Sequence, residues 1–182
     1  MALPKLGRGR MTAKINKMYL RWVAYGMVLL AVSLLQAAPA VFPAIGGAHP
    51  VPLISAVVCI SMFEGPVAGA VIGAASGLLW ALYTNRLFGF DALLLLAIGC
   101  ICGLLVQVFL RNNHLSALLL NGAVLLVYLL ADWLLRFVLF LNTDALYALT
   151  HILLPNALYT FVLSPAMYAV IYRIARGLRE SV

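Results

Sequence analysis

The chain has 182 residues, of which 65 % are hydrophobic and only 9 % are charged, and its formal net charge is +7. Soluble domains carry about 25 % charged residues, so this composition excludes a soluble globular protein and predicts one that uses lipid as its solvent. The length allows five or six membrane-spanning helices of about 20 residues each and leaves no room for a separate soluble domain.

Apolar stretches, separated by proline, glycine and polar residues, predict six helices in chain order. We place them at Trp22–Ala38, Val51–Phe63, Pro66–Tyr83, Ala92–Leu110, Leu115–Leu141 and Leu149–Tyr172. The second is short for a bilayer crossing and begins between two prolines, which suit a first helical turn. Ala38-Pro39-Ala40 faintly resembles a signal-peptidase site, but we interpret the first helix as an uncleaved span. The predicted fold class is all-α, a polytopic membrane protein with about six spans.

Basic residues concentrate at the two ends of the chain. Six precede the first predicted helix and three follow the last one, namely Lys5, Arg8, Arg10, Lys14, Lys17, Arg21, Arg173, Arg176 and Arg179. With six spans and a cytoplasmic N-terminus, ten of the twelve basic residues fall on the cytoplasmic side, as the positive-inside rule expects. We therefore predict a basic cytoplasmic arm over residues 1–21, a membrane domain over 22–172 and a basic cytoplasmic tail over 173–182. The arm can contact anionic lipid, and nucleic acid is not an expected partner.

Four glycines at four-residue spacing mark the third predicted helix: Gly65, Gly69, Gly73 and Gly77. Residues at this spacing lie nearly above one another on a helix, and these four extend over roughly 18 Å. In lipid, a face without side chains lets a neighbouring backbone approach closely. The stripe therefore predicts a helix-packing face, used either within the chain or by a partner protein.

Few polar side chains fall within the predicted spans. Asp132 and Arg136 are four residues apart, so we expect an ion pair near the outer interface, either as an anchor or as a contact with an outer partner. Gln36, Asn121 and Asn156 are expected to form interhelical hydrogen bonds, which are the usual fate of amide side chains in lipid.

The remaining candidates for chemistry have plainer interpretations. Glu64, in the turn before the glycine stripe, is predicted to be a solvated acid, with a partner contact or a proton site as alternatives. Asp91 is predicted to cap the N-terminus of the fourth helix. The cysteines lie in apolar runs and the histidines in different loops, so we expect no disulfide and no metal site. The sequence shows no catalytic set or phosphate loop, and we predict neither an enzyme nor a bound cofactor.

The order of motifs from about Leu34 to Ile174 resembles the family of the rod shape-determining protein MreD. The segments that carry the resemblance are LLQAAPAVFP, HPVPLISAVVCISMFEGPVAGAVIGAASGLL, LFGFDALLLLAIGCICGLL and LLPNALYTFVLSPAMYAVIYRI. They contain Gln36, the proline-opened second helix, the glycine stripe, Gly89, Gly99 and Gly103, and the Leu154-Pro155 pair. Many members of that family have an acidic residue after the glycine series, where this chain has Trp80, Ala81 and Leu82.

The resemblance implies a non-enzymatic scaffold in the bacterial plasma membrane. Members of that family work with an MreB-like cytoplasmic filament and an MreC-like bitopic protein, and help to organise the synthases that make lateral peptidoglycan. Carried onto this chain, the candidate contacts are the four glycines of the stripe, and no small-molecule substrate is expected.

A second interpretation is the substrate-binding subunit of an energy-coupling-factor vitamin transporter, which also has about this size and often six helices. Such subunits commonly carry an Ala-x-x-x-Ala pattern in the first span. Here Ala24 is followed at that spacing by Val28, and Ala31 by Leu35. A membrane protein of another role is the third interpretation. A vitamin retained through purification would favour the transporter subunit.

Overall fold

The computed structural model describes residues 6–38, 50–82, 89–108, 114–134, 150 and 153–177, with side chains from Tyr19 onward except that of His114. These residues form α-helices and the turns between them, and the described part contains no strand. The helices are α1 (Leu6–Ala37), α2 (Pro52–Glu64), α3 (Pro66–Ala81), α4 (Phe90–Val108), α5 (His114–Trp133) and α6 (Leu154–Gly177). The all-helical fold class predicted from composition is confirmed for these residues.

Helix α1 begins much earlier than the predicted first span. It has 32 residues and runs through the boundary that the sequence placed between a basic arm and the membrane domain. The chain has no proline between Pro4 and Pro39, so nothing in this stretch prevents continuous intrahelical hydrogen bonding. The apolar part of α1 that is long enough to cross a membrane is Tyr19–Ala37. Where the membrane surface crosses α1 stays a prediction.

Among the described residues, four helical segments are long and apolar enough to cross a bilayer: the Tyr19–Ala37 part of α1, α4, α5 and α6. Helices α2 and α3 have 13 and 16 residues and are shorter than a full crossing requires. The chain is therefore a membrane protein, and its described part contains four candidate spans and two short apolar helices. The predicted continuation of the fifth span to Leu141 lies outside the described residues.

Helix α2 forms the centre of the bundle. Every residue from Pro52 to Met62 is buried, and α2 contacts each of the other five helices. Its residues are apolar or small around the whole circumference, which is the pattern of a helix enclosed on all sides. Ser61 donates its hydroxyl to the Val57 carbonyl at 2.7 Å, so this polar group is paired inside its own helix.

Successive helices run in opposite directions. Pairs of contacts show this for α3 and α4, because Gly69 meets Gly99 whereas Gly77 meets Ala92. Helices α2 and α6 run parallel: the Val51 N–H donates to Thr160 Oγ1 in the first half of α6, whereas Phe63, at the end of α2, contacts Tyr172 in the second half of α6. We call the end of the bundle where α2 ends and α3 begins the Glu64 end, and the opposite end the Asp91 end.

Candidate functional site

Three of the four glycines in the stripe lie directly against the backbone of α4. A Cβ atom added at Gly69 would overlap the Gly99 carbonyl oxygen, and one added at Gly99 would overlap the Gly69 carbonyl oxygen. At Gly73 the added atom would overlap the carbonyl of Leu95. These contacts are between backbones, so no side-chain rotation could relieve a larger residue. We call this contact between α3 and α4 the glycine seam.

The close backbone contact extends along the whole of the glycine seam. A Cβ at Gly77 would overlap the Cα of Ala92, and one at Gly103 would lie 2.5 Å from the Cα of Pro66. Helix α4 thus contributes two glycines of its own, Gly99 and Gly103, to the contact. Gly99 lies at the middle of α4 and Gly103 in its second half, and both face the first turns of α3. The stripe on α3 is therefore engaged inside the chain, and a partner that used the same face would have to displace α4.

Gly65 has a different position from the other three glycines. It connects α2 to α3 with a φ of +90°, a region that residues with a side chain rarely adopt. Its N–H donates to the Ser61 carbonyl at 3.0 Å, and its own carbonyl accepts from the Gly69 N–H at 2.9 Å. Gly65 is thus a turn residue that lets two buried helices join without an intervening loop.

A polar cluster lies at the Glu64 end, beside that turn. Arg21 Nη2 donates to Glu64 Oε2 at 2.8 Å, and the Tyr25 hydroxyl donates to Glu64 Oε1 at 2.9 Å. The side chains of Arg21 and Glu64 are 22 % and 11 % exposed. The prediction of a solvated turn acid at Glu64 is therefore wrong. Because α1 continues without a break, Arg21 and Tyr25 lie one turn apart on one face and both reach the carboxylate.

A second polar cluster lies at the Asp91 end. The Tyr128 hydroxyl donates to Asp91 Oδ1 at 3.0 Å, and the Tyr128 ring stacks on Trp80 with centroids 5.6 Å apart. Asp91 is 1 % exposed. The N-cap prediction for Asp91 is wrong, since α4 begins at Phe90 and the Gly89 carbonyl accepts the first helical hydrogen bond, from Leu93.

A small cavity of about 50 Å³ opens between α2, α5 and α6 at the same end. Asp132, Asn156 and Thr160 line it with Tyr128. Thr160 Oγ1 accepts the Val51 N–H and donates to the Asn156 carbonyl, so one hydroxyl joins the starts of α2 and α6. The volume suits one or two water molecules and is far below that of a typical ligand pocket.

The other predicted site residues are only partly described by the structure. Asp132 is 8 % exposed, whereas Arg136 lies outside the described residues, so the ion pair between them stays a prediction. Gln36 Oε1 and Asn121 Oδ1 have no hydrogen-bond partner among the described residues, and the interhelical hydrogen bonds of these two amides stay predictions. Asn156 contributes its backbone carbonyl to the bond from Thr160.

No group of three His, Cys, Asp or Glu side chains with the proximity of a metal site occurs in the described ranges. Cys59 and Cys102 are buried and Cys100 is half-buried, and all three are thiols.

Sequence reasoning missed both tyrosine–carboxylate contacts. For the Glu64 contact, the available signal was the four-residue spacing of Arg21 and Tyr25, which places both side chains on one face of α1. The contact of Tyr128 with Asp91 joins residues 37 positions apart, and their spacing gives no such signal.

The family model of the rod shape-determining protein MreD matches residues 16–177 of the chain. This range contains the glycine seam, both polar clusters and all of α2 to α6. No curated protein and no solved structure matches the chain.

Proposed function

The chain belongs to the family of the rod shape-determining protein MreD, and we propose that it serves as a non-catalytic membrane scaffold of the machinery that elongates bacterial cells. Membership in this family implies involvement in rod-shape determination. In the proposed role, the protein holds partner proteins together at the membrane and so organises peptidoglycan synthesis. The observation that carries this proposal is the family match over nearly the whole chain.

The proposed partners are an MreC-like bitopic protein, an MreB-like cytoplasmic filament and the cell-wall synthases. The tightly packed centre of the helix bundle supports a scaffold role. Helix α2 is enclosed by five neighbours, and α3 is joined to α4 by backbone contacts that allow little adjustment. Such a core provides rigid outer faces, and partner helices in lipid bind to faces of that kind through close packing and hydrogen bonds.

We further propose a multi-pass protein of the bacterial inner membrane with both termini in the cytoplasm. The alternating direction of the six described helices supports this arrangement, since it brings the start of α1 and the end of α6 to the Glu64 end. The basic arm and tail then lie on one side, as the positive-inside rule favours. Short helices such as α2 and α3 can complete a crossing where neighbours bury them and the bilayer is locally thinner.

Purification of the tagged protein from native membranes tests the proposal. We expect an MreC-like protein to co-purify in stoichiometric amounts, together with a cell-wall synthase. Recovery of a transporter ATPase instead, or of a vitamin that stays bound through purification, would contradict the scaffold role.

A further inference from the structure

Four basic residues of α1 occupy positions on one face of the helix. They are Arg10, Lys14, Lys17 and Arg21, and we call them the basic stripe. Their spacing of four, three and four residues returns to the same side at each turn, so the four positions fall within a sector of about 60° and extend over about 16 Å of helix length. The positive-inside rule counts basic residues but is indifferent to their placement around a helix, so it does not account for this alignment.

Arg21 marks the side of α1 to which the stripe belongs. Its guanidinium binds Glu64 of α2, and Tyr25, one turn further along the same side, is buried. The side of α1 that faces lipid is a different one, where Met27 and Leu30 are exposed. By helix register, the centre of the stripe lies about 140° from the centre of that lipid-facing side. The stripe is therefore on the bundle side of α1.

The stripe lies at an end of the protein where basic residues predominate. The first 63 residues contain no Asp or Glu, so α1 itself offers the stripe no acidic partner. Glu64, which α2 contributes at this end, already binds Arg21 and Tyr25. Helix α6 ends there with two exposed arginines, Arg173 and Arg176, which add to the positive charge. The electrostatic field at this end attracts an acidic ligand.

Lipid headgroups are poorly placed to supply that acidic ligand. The stripe belongs to the bundle side of α1, whereas the surrounding lipid adjoins the opposite side. Arg10 also lies about 13 Å before Tyr19, where the apolar part of α1 begins, and the headgroup layer is only about 5–8 Å thick. The stripe thus extends past the headgroups, to a level where a cytoplasmic protein can reach it.

Apolar positions accompany the stripe on the same side of α1. Met11, Ile15 and Met18 fall next to it in the helix register, toward the position of Tyr25. A face with a basic half and an apolar half complements a segment that is acidic on one side and apolar on the other. We infer that the basic stripe binds an acidic amphipathic segment of a cytoplasmic protein. The inference rests on the topology given under the proposed function, in which the Glu64 end is cytoplasmic.

Photo-crosslinking in host cells tests this inference on the full chain. A benzophenone amino acid at Met11 lies on the bundle side of α1, and one at Gly9 lies at the same height on the lipid-facing side. We expect the Met11 position to give an adduct with a cytoplasmic protein, and the crosslinked segment, sequenced by mass spectrometry, to be rich in Asp and Glu. The Gly9 position should give little of this adduct.

A variant that moves the stripe without changing the composition provides the second measurement. The variant Arg10→Thr/Thr12→Arg/Lys14→Asn/Asn16→Lys transfers two positive charges to the lipid-facing side and keeps the net charge. The adduct yield at Met11 should fall by roughly 2- to 30-fold, the range for two surface ion pairs. The control Lys14→Arg/Lys17→Arg keeps the charges in place and should leave the yield unchanged.

Several results would overturn the inference. They are equal yields at the two positions, an unchanged yield in the relocated variant, a captured segment without acidic residues, and adducts only with lipid, nucleic acid or another copy of this chain. A fluorescent-protein fusion at the N-terminus reports the orientation of the same chains. A dark fusion would contradict the proposed topology, whereas a fluorescent fusion without an acidic adduct would overturn the stripe alone and leave the scaffold role intact.

Discussion

Alanine at Gly73 should separate α3 from α4, because its Cβ would overlap backbone atoms of Leu95 that cannot rotate away. Overpacking of this kind costs about 3 kcal/mol, at the upper end of the range measured in protein cores. Alanine has a higher helix propensity than glycine by about 1 kcal/mol, so the expected net loss of stability is about 2 kcal/mol.

The matched control is Gly26→Ala, the same substitution in the interior of α1. A Cβ at Gly26 would lie within 4 Å of no other atom that the structure describes outside its own turn. This variant should therefore gain up to about 1 kcal/mol from helix propensity alone. The difference of about 3 kcal/mol corresponds to about 6–12 °C in melting temperature for a chain of this size.

Thermal unfolding of the two variants in the same detergent measures this difference. The reasoning predicts a lower melting temperature for Gly73→Ala than for the wild type, and one at or above the wild type for Gly26→Ala. If both variants shifted equally, the glycine seam would not be a close backbone contact.

Three further predictions concern the polar clusters and the orientation. Glu64→Gln should lower the free energy of unfolding by about 1–2 kcal/mol, because it removes the charge with which Arg21 pairs. The double variant Arg21→Met/Glu64→Leu removes both charges and should be at least as stable as Glu64→Gln in thermal unfolding. Tyr128→Phe should lower the free energy of unfolding by about 1–3 kcal/mol, because it removes a donor to the buried Asp91 carboxylate. The control Tyr159→Phe should leave stability unchanged, and equal melting temperatures for the two variants would contradict the hydrogen bond. Fluorescent-protein fusions at either terminus should fluoresce and alkaline phosphatase fusions there should be inactive, and the reverse at one terminus would contradict an even number of crossings.

Sequence reasoning predicted well those features that depend on local composition. Prolines and glycines punctuate the apolar stretches, so the starts of α2 and α3 were placed at or within one residue of Pro52 and Pro66. The glycine spacing predicted a face suited to close packing. The identity of its neighbour was not predicted, although the glycines of α4 were noted as part of the family resemblance.

Contacts between helices were beyond the reach of the sequence. Glu64 is 43 residues from Arg21, and Tyr128 is 37 residues from Asp91. In a soluble protein, the apolar face of a helix indicates its rotation, but here the lipid-facing and buried faces are both apolar, so the pattern carries little information on which side faces a neighbour. The sequence could therefore propose Glu64 and Asp91 only as local turn and cap residues, and both interpretations were wrong.

The most direct test of the central claim is a complementation experiment. The native copy of this protein is depleted from its host, a wild-type or variant copy is supplied, and the width and shape of the cells are measured. Wild-type chain should restore rods of normal width, and Gly26→Ala should do the same. The seam variant Gly73→Leu should leave the cells wide or round. Normal rods with the seam variant present at wild-type level in the membrane would contradict the account, as would round cells with the wild-type chain.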